Sequence, residues 1–232
     1  MIISHPPPAR LTWGMPRVIH AAVMRLILST VWLCFAAARL TAQVAPPPEV
    51  AASAQAAVQE LGKQVVLGNH LVAVEKMYPH WKDTLAKQDG GIEKLEAKVA
   101  EISKMMREKG IQVISFRPDP AAKVSAYEVT PGKEVVQEGG KTVEKLIYKK
   151  WLLIVPTVSE YRVTLPAERG APPRMEVITT KGFQVAISDK GKNDWTFIDG
   201  SGARVSDLRR LFITLPENMQ LPEIQRQAGK NQ

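Results

Sequence analysis

Hydrophobic positions change rhythm once along this chain, near Gly110, and the two sides predict different structure. Between residues 50 and 77, Val58, Leu61, Val65, Leu71, Val74 and Met77 recur at spacings of three to six, which predicts a helix broken near Gly68-Asn69. Pro79 suits the first turn of a second helix, where its missing N–H would be unpaired anyway; that helix ends at Asp89-Gly90-Gly91. A third helix is the clearest element, because Ile92, Leu95, Val99, Ile102 and Met105 form a stripe at spacings of three and four while Glu and Lys fill the other faces. Gly110 supplies its stop.

Beyond Gly110 the period falls to two. Residues 111–117 and 123–129 read as short strands, with turn signals at Pro131-Gly132 and Gly139-Gly140. Residues 142–155 read as one long strand, whose second half, from Trp151 to Val155, is apolar on both faces. It therefore needs cover on both, by helix on one and by sheet or a partner on the other. Residues 158–165 alternate, Tyr161, Val163 and Leu165 on one face and Glu160, Arg162 and Thr164 on the other. Residues 166–173 read as a loop. Residues 175–188 alternate again, Val177, Phe183, Val185 and Ile187 pointing one way, and Gly182 marks an expected bulge. A last strand over 195–199 and a short helix capped by Ser206 follow. Helices first and antiparallel strands afterwards predict an α+β fold, N-terminal helices packed on a curved antiparallel sheet, in a single domain spanning 50–222 with a flexible tail over 223–232.

The N-terminal 42 residues follow another logic. Residues 26–38 contain no charge and lie between Arg25 and Arg39, with small residues at 41–42, the pattern of a signal peptide. Thirteen residues fall short of the roughly 20 a spanning helix needs. Met24-Arg25 would itself start a signal peptide, so residues 1–23 point to an upstream start codon or a long n-region. Cleavage is expected after Ala42, with Ala38 as the alternative, leaving a Pro-rich linker over 43–49 and no stable membrane span. An uncleaved N-terminal helix anchoring an envelope structural protein is the competing view. The one cysteine, Cys34, lies in the removed segment, so the mature chain has no disulfide or thiolate site. Export without cysteine predicts a periplasmic or extracellular protein.

The net charge of +8 includes four arginines of that segment; the excess remaining is too small and scattered for a nucleic-acid footprint, and no nucleic-acid partner is expected. Lys145, Lys149, Lys150 and Arg162 are a candidate basic sheet face, or lysines that guard an exposed edge.

Candidate chemistry is sparse. His70 and His80 are ten residues apart across a helix break, which is poor zinc-ligand spacing. His80 and Asp83 are three apart on one helix and could pair a base with an orienting carboxylate, or be ordinary surface neighbours. Ser188, Asp189, Gly191 and Trp195 approximate the Asp-box of sialidase-like propellers, but Asp and Gly are each displaced by one and there is one copy; a hairpin turn with Trp195 packed beneath is the simpler expectation. No EF-hand loop, phosphate-cradling loop or Gly-x-Ser-x-Gly elbow occurs, and no cofactor is expected. Tyr78, Trp81, Tyr127, Tyr148, Trp151 and Tyr161 are candidate pocket-lining aromatics, with core packing as the alternative.

Tyr78-Pro79, Gly90-Gly91, Lys104-Met105-Met106 and Gly110-Ile111, with Val155-Pro156-Thr157, residues 187–200, Leu215-Pro216 and Leu221-Pro222, together resemble the exported bacterial members of the nuclear transport factor 2-like, or cystatin-like, superfamily. The likeness spans residues 78–222; residues 130–141 and 166–173 depart from it. It implies a bent sheet wrapped around a helix with a conical cavity used for catalysis, binding or dimerisation. The leading expectation is an exported, non-enzymatic domain that binds a small apolar ligand or a protein partner and dimerises through the open sheet face. The alternative is a cofactor-free lyase or isomerase using His80, Asp83 and a tyrosine on a small apolar ligand.

Overall fold

Two strands of sixteen residues each, β6 (Lys150–Leu165) and β7 (Arg174–Asp189), form the spine of the molecule. They pair antiparallel from Lys150 opposite Asp189 to Leu165 opposite Arg174 without a register shift. The computed structural model describes residues 43–130, 132–146, 148–165 and 174–228, which belong to one compact unit; the expected signal peptide over 1–42, the turn at Pro131 and the loop over 166–173 lie outside the described residues.

Each outer edge of the spine is shared by two short strands. Along β6, β3 (Ser125–Val129) pairs with residues 150–154 and β2 (Ile111–Pro118) with residues 157–163. Along β7, β8 (Thr196–Asp199) pairs with residues 184–187 and β9 (Gln225–Ala228) with residues 178–181. β1 (Gln43–Val44) extends the sheet beyond β3. The protein is thus α+β, with a seven-stranded antiparallel sheet not closed into a barrel.

Pro156 explains how one strand serves two neighbours. A strand residue's N–H and C=O point to the same side, and the Pro156 carbonyl accepts from the Asp119 amide, 2.8 Å away. Its missing N–H therefore faces the seam where β2 ends and β3 has yet to begin, and no ladder bond to β7 is lost. The expected break between residues 155 and 158 is accordingly absent. The expected bulge at Gly182 is absent too; the irregularity lies in β2, between Val113 and Ser115. The long strand expected over 142–155 is two elements, since residues 141–145 form β5 (Lys141–Lys145) of a separate hairpin with β4 (Glu134–Glu138), turned by Gly139 and Gly140, both at positive φ. Residues 225–228, expected in a flexible tail, are β9.

Alternation along the spine builds two cores. Trp151, Leu153 and Val155 point to α1 (Pro48–Val66), whose buried Ala54, Val58, Leu61 and Gly62 recur at helical spacing. Leu152, Ile154, Val185 and Ile187 point the other way, against Leu208 of α5 (Val205–Leu211) and the following Phe212, Leu215 and Met219. Cover for the second face comes from the chain's own C-terminal segment, where the sequence pointed to sheet or a partner. No side chain caps α5; instead of a Ser206 cap, Asp207 accepts from Arg204 and Arg210.

The helices reach both faces by rounding the β8 edge. After α2 (Val72–Glu75), the Phe197 amide donates to the Lys76 carbonyl and the Tyr78 amide to the Phe197 carbonyl, both at 2.8 Å. α3 (Pro79–Asp89) and α4 (Ile92–Glu108) follow as predicted. α4 buries Leu95 and Ser103, while Ile102 and Met105 of its apolar stripe remain more than two-fifths exposed. Among the described residues no helix is long and apolar enough to cross a membrane.

Candidate functional site

Midway along the spine, the face turned to α1 changes character. Its β6 positions pass from Trp151, Leu153 and Val155 to Thr157, Ser159 and Tyr161; its β7 positions pass from Ala186 and Gln184 to Gly182, Thr180 and Ile178. α1 packs over the first half and onto β2, whose Phe116 joins its core. Over the second half stands a cleft of about 1080 Å³, near the upper end of small-molecule sites, lined from the helices by Leu61 and Val65 of α1 and Met106 of α4. Its floor is mixed: apolar Val113, Phe116, Tyr161, Val163 and Ile178 alternate with hydroxyls of Thr157, Ser159 and Thr180. Gln184 and Asp199 form its polar corner, where the Gln184 amide donates to the Asp199 carboxylate at 3.0 Å and the Ser201 hydroxyl donates to the same carboxylate.

A second cavity of about 450 Å³ adjoins the first; Val65, Met106, Ile111 and Val113 line both. His70, Arg107 and Arg162 line it. Burial, with the Arg107 guanidinium nearby, holds the His70 imidazole below its usual pKa.

Of the six candidate aromatics, Tyr161 alone lines the cleft. Tyr78 and Tyr127 are buried in the core against α5 and Trp151 in the core against α1, while Trp81 packs on the rim of the former. Tyr148 is 41% exposed. Burial, reinforced by the Asp189 charge, pushes the Tyr78 hydroxyl up to about 12, and burial raises that of Tyr127. His80 and Asp83 are both exposed on α3 and line neither cavity; the His80 ring sits 5.7 Å from that of Tyr78. The Asp-box-like stretch is a closed turn: the Ser188 hydroxyl donates to Asp194 at 2.7 Å, and buried Trp195 donates its indole N–H to Ser53 of α1 at 2.9 Å. The candidate basic face is neutralised residue by residue, Lys145 by Glu138, Lys149 by Glu134 and Lys150 by Asp189; Arg162 is among the residues lining the second cavity. Among the described residues no group of three or more His, Cys, Asp or Glu is placed to hold a metal ion.

Sequence reasoning missed Thr157, Thr180, Gln184 and Arg107. The available signal was small polar residues at inward strand positions where the pattern up to Val155 had placed bulky apolar ones. Compared with described protein families, curated proteins and solved structures, the chain matches none.

Proposed function

We propose that this chain is an exported, non-enzymatic binding domain of the nuclear transport factor 2-like type, and that it takes a small apolar ligand in the cleft beside Tyr161. The observation carrying this reading is the half-covered sheet face: apolar Val113, Phe116 and Ile178 line a concave space of about 1080 Å³ that α1 leaves open. Apolar surface left facing water favours an apolar occupant, while the interspersed hydroxyls orient a ligand with few polar groups. Helices preceding an open antiparallel sheet, with a cavity between them, support the superfamily assignment. The lyase or isomerase reading has less support, since His80 and Asp83 lie away from both cavities.

The test is titration of the full-length chain with the fluorescent apolar probe N-phenyl-1-naphthylamine. Saturable binding at one site, weakened at least tenfold by Ile178→Asp, is expected. Absence of saturable binding, or binding indifferent to that substitution, overturns the reading.

A further inference from the structure

We infer that the ligand is an anionic amphiphile: its apolar body lies in the cleft over Tyr161 and Ile178, and its carboxylate or phosphate head sits in the adjoining cavity between Arg107 and Arg162. This rests on the binding reading above and adds the ligand's class. Three observations converge on it.

The first is continuity, since Val65, Met106, Ile111 and Val113 belong to the walls of both cavities, so one molecule can occupy both. Charge is the second. The smaller cavity is lined by two arginines and a histidine with no Asp or Glu among its lining residues, whereas Asp199 stands at the polar corner of the larger one. Neither the Arg107 nor the Arg162 side chain has an ion-pair or hydrogen-bond partner among the described residues, whereas Lys133, Lys145, Lys149 and Lys190 each have one. A guanidinium presents a planar fork of donors that matches a carboxylate or phosphate, and two arginines lining one cavity can supply donors for such a head.

The third is origin. Arg107 lies in the last turn of α4, where the helix dipole alone favours a cation. That does not account for Arg162, which comes from β6, a different element, and lines the same cavity although strand alternation sets it on the sheet face opposite Tyr161. His70 follows the broken end of α1 and brings a third donor, and the Arg107 charge is felt at its ring. Ser103, Gln112 and Thr164 add neutral polar groups to the walls.

Calorimetric titration of the full-length chain, below the micellar range, with dodecanoate, dodecyl phosphate and 1-dodecanol tests the inference. At least one of the two anions is expected to bind tenfold or more tightly than the alcohol, and the tighter anion names the head group. Arg107→Gln/Arg162→Gln, a change at two exposed side chains, is expected to weaken the anions at least tenfold and to leave 1-dodecanol unchanged; Ile178→Asp is expected to weaken all three. Equal binding of anions and alcohol, or anion binding indifferent to the double substitution, overturns the anionic head and leaves the apolar cleft standing. Binding of none of the three overturns both.

Discussion

Gly62, on the inward face of α1, lies against the backbone of Phe116 in β2: a Cβ at position 62 would stand 2.1 Å from the Phe116 carbonyl oxygen. The helix rests on the sheet at this contact, because no flexible side-chain end is available to move aside. In an unconstrained helix, glycine to alanine gains about 1 kcal/mol. Here Gly62→Ala is expected to lose about 1–3 kcal/mol by forcing helix and strand apart, read as a lower midpoint in urea unfolding. An unchanged or raised midpoint would show that α1 is not seated on β2 in this way.

Phe212 is fully buried and packs on Tyr78 with ring centroids 5.3 Å apart. Phe212→Ala is expected to cost about 3–5 kcal/mol, as befits an aromatic removed from a closed core. Met175 is 71% exposed, and Met175→Ala serves as the comparison, with a change within about 0.5 kcal/mol. Similar effects at the two positions would argue against the C-terminal cover of the second sheet face.

The raised Tyr78 hydroxyl ties stability to alkaline pH. Its ordinary value is 10.0 and its folded value about 12, so the unfolded chain releases this proton first as pH rises. The stability it carries is complete below pH 10 and lost through about pH 12. In Tyr78→Phe the fall in unfolding free energy across that window should shrink by on the order of 2 kcal/mol. Tyr127→Phe acts in the same direction, because burial raises that hydroxyl as well. Parallel curves for wild type and both variants between pH 9 and 12 would contradict the burial of these rings.

His80→Ala and Asp83→Ala remove exposed side chains outside both cavities. Each is expected to change stability by no more than about 0.5 kcal/mol and to leave apolar-probe affinity within twofold. Loss of probe binding in either variant would return these residues to the site.

The chain announces its helices more openly than its strands. The stripe from Ile92 to Met105 locates α4, and Gly110 ends it, since helical spacing and a glycine stop are local signals. Continuity of β6 through Pro156 is not local: it depends on which neighbour faces the missing N–H, and that neighbour, Asp119, is far away in sequence. Residues 141–145 differ: their partner is local, just across Gly139-Gly140, but their strand pattern runs on toward β6 and hides where the hairpin ends. At the candidate site, heavy aromatics draw attention in a sequence, yet Tyr78, Tyr127 and Trp151 are consumed by the cores. The cleft is made by residues that leave room, Thr157, Thr180 and Gly182, and becomes visible only once both strands are in register.

Four residues of β9 shield the outer margin of β7 next to the cleft, from Ile178 to Lys181. Were they peeled away, this flank would offer bare peptide groups to any extended chain, a second copy included. Residues 225–228 thus hold the peptide groups of β7 in a ladder, and trimming them would lay that flank bare beside the cleft.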